Sequence, residues 1–384
     1  MPWPDRSEDA LARAIETVGL DDFGDDDEFR LGLEALTAAV ADAGLPPALR
    51  ERIGQQVLAN LVTRLRLVAL RKARPQIAAE VIDGPLVVIG LPRTGTSALV
   101  DLLAQDPGAR APLQWEVQNL FPPTDKAHWR DDPRIAAMEA QLQAGASANP
   151  IVALGLHSYG ARLPDECNSF LGLEFWSPGL SVLAHLPAYS QWLEEVHLKR
   201  PYRSHRWVLQ HLQHHGPAGR WTLKSPFHVF DLPALLAEYP DAVFVQPHRD
   251  PLALMPSMCG LYATIRGEAA GDPRRCQTGR ELCALWGAGL RRALAARDDP
   301  SLNARVFDIS HRDLARDPMG VLASVYQRFD LPFSEATRSR AQAWALHPAQ
   351  HRSRVSFTLE DFGLAARDVE DAFGDYAARF GAFF

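Results

Sequence analysis

Three stretches of this chain combine hydroxyl and cationic residues, the first with glycines as well, at spacings suited to holding phosphate. In the first, the apolar run Leu86-Val87-Val88-Ile89 leads into "GLPRTGTS", residues 90–97, and helical periodicity follows. This is the layout G-x-x-x-x-G-K-[ST], in which a strand, a glycine-bearing loop and a helix N-terminus present backbone N–H groups to an anion. Gly90, Gly95 and Ser97 occupy the expected places, but Thr96 stands where the lysine belongs and the cation is Arg93, inside the loop. Thr94, Thr96 and Ser97 add hydroxyl donors. A loop without that lysine is poorly suited to gripping the β- and γ-phosphates of a nucleoside triphosphate.

The second stretch is "WTLKSPFHVF", residues 221–230. An apolar run ends at Lys224, Ser225 can cap a following helix, and Pro226 suits its first position. His228 lies about one turn further on. Only four of the 40 cationic residues are lysines, Lys72, Lys126, Lys199 and Lys224, so a lysine at such a place is informative. The third is "VFVQPHRDPLALMPSM", residues 243–258. Here Arg249 follows an apolar run, Asp250 can cap the next helix, and Ser257 lies near its second turn. A guanidinium fork with a hydroxyl makes a good receptor for a phosphate monoester.

These side chains need a common scaffold. Short apolar runs at Leu86–Gly90, Trp221–Lys224, Ala242–Gln246 and Arg305–Ile309, each followed by a loop and a helical pattern, predict an α/β fold: a parallel central sheet flanked by helices. Ligands of such sheets bind at the carboxyl ends of the strands, where Arg93, Lys224 and Arg249 fall. Residues 8–82 read as helices, with "DDFGDDDEF" at 21–29 as a turn or exposed loop. Residues 111–216 are rich in Trp, Phe, His and Pro and read as a mostly helical insertion.

In this order the motifs resemble the sulfotransferase family that uses 3'-phosphoadenosine 5'-phosphosulfate. The family signature P-[KR]-[ST]-G-[ST]-[ST], which binds the 5'-phosphosulfate, stands here as Pro92-Arg93-Thr94-Gly95-Thr96-Ser97. Its R-x7-S signature for the 3'-phosphate stands as Arg249 and Ser257, and its strand-end lysine as Lys224. The tail "HRSRVSFTLEDFGL", residues 351–364, is similar to the C-terminal region of the bacterial branch, where a basic loop completes the 3'-phosphate site; Arg352 and Arg354 are the candidates.

The resemblance implies a P-loop-like sulfotransferase domain over 85–384, behind an N-terminal helical region over 1–84, with 111–216 shaping the acceptor pocket. It implies transfer of a sulfuryl group to a hydroxyl or amine of a small, hydrophobic acceptor, with no metal. Arg93 and Lys224 would neutralise charge on the leaving phosphate oxygen. For the general base Glu116 and His228 compete, with Asp165 or Glu166 behind them. Glu116 is expected at the end of the strand after the first loop-helix unit. Many members carry a tryptophan just after the first signature to stack on adenine; here that place is Ala98.

Other readings stay open: a P-loop small-molecule kinase, opposed by Thr96, or a non-catalytic nucleotide-binding relative. His205, His211, His214 and His215 look like a helix and its C-terminus, where histidine is favoured, rather than a metal site. The net charge of −7 argues against a nucleic-acid partner. Four cysteines without a C-x-x-C pair, no apolar stretch of membrane-spanning length, and no signal-like N-terminus lead to the expectation of a cytoplasmic protein.

Overall fold

The strand Leu86–Val88 (β1) is buried at every position and is paired on both sides. In the computed structural model, which describes residues 6–146, 148–196, 201–346 and 355–384, its neighbours are Arg220–Lys224 and Val243–His248. With Ala109–Arg110 as β2, these are β3 and β4, and Val306–Ser310 is β5. The sheet order is β2-β3-β1-β4-β5, and every pairing is parallel. A sheet covered on both faces needs apolar residues in succession rather than in alternation, which is why Val87, Val88, Phe244 and Val245 could be read as strands.

The four expected strands are present with ends shifted by one or two residues. The strand expected after the first loop-helix unit is present as the two-residue β2, which carries no apolar run and ends at Arg110, short of Glu116. One face of the sheet packs Leu86, Val88, Val245 and Ile309 against Leu99, Leu103, Leu322 and Val325 from flanking helices. Elsewhere Phe227 stacks on Trp286 at 5.4 Å between ring centroids.

Contacts within the chain separate two units. One comprises Asp83–Gln118, Asp131–Glu166 and Ala218–Phe384 and contains the whole sheet. The other gathers the described parts of Met1–Ile82 with Asn119–Arg130 and Cys167–Pro217. Thus residues 111–118 and 131–166 of the expected insertion group with the sheet, and the rest groups with the N-terminal helices.

The second unit is helical, with Pro47–Ala73 as its longest helix. Its interior holds an ion pair, Arg64 to Glu174 at 2.9 Å, with side chains 1% and 2% exposed. Arg64 also lies over Phe29 at 4.1 Å and donates to the Phe23 carbonyl. His211 bonds the Leu120 carbonyl and His214 pairs with Glu80. Among the described residues, no helix is long and apolar enough to cross a membrane.

Candidate active site

The sheet order places β1 between β3 and β4, so the loop after β1 is flanked by the ends of both neighbours. Val88 lies in register with Lys224 on one side and Val245 on the other. The loop itself is sharply turned. Gly90 and Gly95 have φ of 124° and 93°, and Arg93, a residue with a side chain, has φ of 70°. Left-handed backbone at a non-glycine costs about 1–2 kcal/mol and is seen where surrounding structure enforces it. Gly95 then starts the helix Thr96–Leu103, its carbonyl accepting from the Leu99 N–H.

A cavity of about 370 Å³ opens at this turn, within the size range of small-molecule sites. Arg93, Gly95, Thr96, Ser97, Arg249 and Ser257 all line it. Two expected contributors to phosphate binding are thus brought together from separate strand ends. Arg93 Nε donates to Ser257 Oγ at 3.1 Å, and its Nη1 to the Leu156 carbonyl. Arg249 Nη1 donates to the Arg93 carbonyl at 3.0 Å. The strand end before Arg249 is held firmly: His248 Nε2 is 2.7 Å from Asp308 Oδ1, and Arg297 binds both Asp308 oxygens at 2.8 and 2.6 Å.

Charge is the main property of this cavity. Among the described residues, neither Arg93 nor Arg249 forms a salt bridge with a carboxylate. Burial, and then the Arg249 charge, pull the Arg93 guanidinium below its ordinary value. Burial does the same to Arg249. Arginine remains charged nonetheless. Two half-buried cations with hydroxyls and a helix N-terminus beside them fit an anion carrying more than one negative charge.

Lys224 reaches the loop from the other side. Its Nζ lies 3.1 Å from Ser97 Oγ and is also hydrogen-bonded to Glu166 Oε1. The ammonium is buried, and the Glu166 side chain is 21% exposed. Next to it, burial and the Glu166 charge raise the Asp165 carboxyl to about 6.

Several expected residues are placed otherwise. Thr94 is fully buried and its hydroxyl donates to the Leu91 carbonyl at 2.8 Å, so it braces the loop and leaves the lining to Thr96 and Ser97. Glu116 lies in a short helix, Gln114–Gln118, not at a strand end. Arg110 grips both its oxygens, at 3.0 and 2.7 Å, and the Leu113 N–H donates to it as well. The pair is almost completely buried and lies outside the cavity lining. His228 is fully buried and also lies outside that lining. Neither of the two leading base candidates lines the cavity; Lys224 and Glu166 lie outside that lining as well, but Lys224 reaches the loop through Ser97. Arg352 and Arg354 lie outside the described residues.

Reading the sequence missed His157 and His311, both in the cavity lining, and Phe357, an aromatic ring in a cavity where Ala98 offers none. Burial lowers His157 to about 4, with Lys224 and Arg93 adding to the effect and Glu166 opposing it.

The bond pattern at Glu116 has a testable result. Glu116→Ala is expected to cost about 3–5 kcal/mol of unfolding free energy, because Arg110 stays buried without its bidentate carboxylate. The surviving folded enzyme should keep its turnover per active site. Urea unfolding alongside kinetics would check this, and a selective loss of turnover with stability intact would return Glu116 to the reaction.

Comparison with known proteins agrees with this geometry. An Omega-hydroxy-beta-dihydromenaquinone-9 sulfotransferase, Stf3, of Mycobacterium bovis is 26% identical over 321 residues, 80% of this chain and 77% of that protein. The crystal structure of sulfotransferase STF1 from Mycobacterium tuberculosis is 31% identical with a TM-score of 0.81, covering 96% of this chain and 98% of that one. Sulfotransferase STF9 from Mycobacterium avium is 27% identical with a TM-score of 0.88, covering 98% and 97%. Residues 85–335, which carry β1 to β5 and all three phosphate-suited stretches, match the Sulfotransferase family, and the chain belongs to that family.

Proposed function

We propose that this sulfotransferase takes its sulfuryl group from 3'-phosphoadenosine 5'-phosphosulfate and passes it to a hydroxyl of a small hydrophobic acceptor. The observation that carries the donor assignment is the arginine pair. Among the described residues, Arg93 and Arg249 share one cavity with no carboxylate in its lining, an arrangement that suits a multiply charged anion. A donor with separate 5' and 3' phosphates is such an anion. Arg93, Gly95, Thr96 and Ser97 would hold the 5' side, with Thr94 keeping the loop in shape; Arg249 and Ser257 would hold the 3'-phosphate. The acceptor class rests on the Mycobacterium bovis relative, whose named substrate is a hydroxylated dihydromenaquinone.

The donor supplies an activated sulfuryl group; this chain's residues position it and manage charge and a proton. Lys224, one hydrogen bond from Ser97, would stabilise the electron pair left on the departing phosphate oxygen. Glu166 is the base this geometry favours. It is partly exposed and touches Lys224, so a proton from the acceptor hydroxyl can pass to it as the new S–O bond forms. Lys224 can then turn from Glu166 toward the leaving oxygen.

Titration calorimetry with adenosine 3',5'-bisphosphate, against ATP and 5'-AMP and without added metal, tests the donor assignment. Micromolar or tighter binding is expected for the bisphosphate alone. Preference for ATP with magnesium would support a kinase instead.

A further inference from the structure

The end of β5 delivers a side chain to the same cavity as the ends of β1 and β4. His311 follows Ser310, the last residue of β5, and lines the cavity with Arg93 and Arg249. Its ring stands against the phosphate loop. A Cβ built on Gly95 would come within 2.9 Å of His311 Nδ1 and 3.2 Å of Leu314. Nδ1 is sealed from solvent, which leaves Nε2 as the ring nitrogen able to reach a bound anion. Among the described residues, no carboxylate acts on the ring; Arg249 and Arg93 are the charged groups that do, and the Thr94 backbone is the polar group behind it. On its own helix, Arg312 is exposed, and Asp313 is engaged by Arg316 at 3.0 Å.

We propose that His311 takes up a proton when the donor nucleotide binds and becomes a third cation around the bound anion. The inference rests on the donor reading given above. Without nucleotide, burial and then the Arg249 charge hold the ring below its ordinary value; the Thr94 backbone opposes them, and the Arg93 charge adds a smaller lowering effect. A phosphate placed between the arginines cancels their repulsion and adds an attraction of its own, so the ring's proton affinity rises on binding. Between the free and bound values, each binding event consumes a proton, and rising pH weakens binding by up to about tenfold per unit. Below the free value the ring is already charged, and above the bound value it is neutral in both states, so the dependence flattens at either end.

The test is calorimetry of adenosine 3',5'-bisphosphate in pairs of buffers with different ionisation enthalpies, from about pH 6 to 8. The nucleotide's own phosphates titrate near pH ~6, so the reading is the difference between wild type and His311→Asn. Net proton uptake is expected in wild type and its loss in His311→Asn, with the wild-type affinity advantage shrinking as pH rises. His311→Gln, which keeps a neutral donor near the Nε2 position, should restore affinity at high pH but not the uptake. Binding with the same proton balance in wild type and both variants would overturn the inference while leaving the donor site standing. Failure of the bisphosphate to bind wild type at all would overturn both.

Discussion

Glu166→Gln is expected to lower turnover by about 10²–10⁴, the usual contribution of a positioned general base. Glutamine keeps the shape and can still accept a hydrogen bond from Lys224 Nζ, as Glu166 Oε1 does, but it cannot take the acceptor's proton. Affinity for adenosine 3',5'-bisphosphate should hold or improve slightly, because Lys224 loses a charged competitor for the nucleotide. Steady-state kinetics and calorimetry on the same preparation separate the two effects. His157, unlike Glu166, is itself in the cavity lining, yet His157→Asn should cost much less. Activity of Glu166→Gln within a few-fold of wild type, with a collapse in His157→Asn, would move the base to the histidine.

Arg249→Ala should weaken binding of adenosine 3',5'-bisphosphate by about 2–4 kcal/mol, roughly 30- to 1000-fold, the loss typical of a desolvated charge-assisted contact. Binding of 5'-AMP, which lacks the 3'-phosphate, should change little. The contrast matters because Arg249 has a second attachment, its bond to the Arg93 carbonyl at 3.0 Å. If that bond set the loop's shape, both ligands would suffer equally, and Arg249 would be a positioning residue for the loop. Arg249→Lys keeps the charge but not the fork, so it should recover only part of the loss. Direct titration of the two nucleotides against the three proteins decides between these outcomes.

The placement of the glycine loop, Lys224 and Arg249 at strand ends was legible in the sequence because these residues obey strong local rules. Glycines mark the left-handed turns at positions 90 and 95. Lys224 and Arg249 announce themselves as cations directly after apolar runs, and Ser225 and Asp250 do cap the elements they precede, accepting from Phe227 and Leu252 N–H at 3.1 and 2.9 Å. Glu116 misled for a tertiary reason: its partner, Arg110, is six residues away and only the folded chain closes the pair. His157 sits in a segment without periodicity, so nothing local marks it. His311 is different. It follows β5 as Arg249 follows β4, and the rule that ligands gather at strand ends would have picked it out had it been applied to the last strand.

The arginine pair also means that this protein responds to its solvent. Two guanidiniums that lack a carboxylate partner among the described residues suit other multivalent anions too, so on the proposed donor site sulfate or phosphate in a buffer is expected to compete with the nucleotide. An anion present at ten times its own dissociation constant raises the apparent donor Kd about elevenfold and stabilises the folded chain by about 1.4 kcal/mol. Thermal midpoints and donor affinities measured in phosphate will therefore err in opposite directions: the protein will look sturdier than it is, and its hold on the donor weaker.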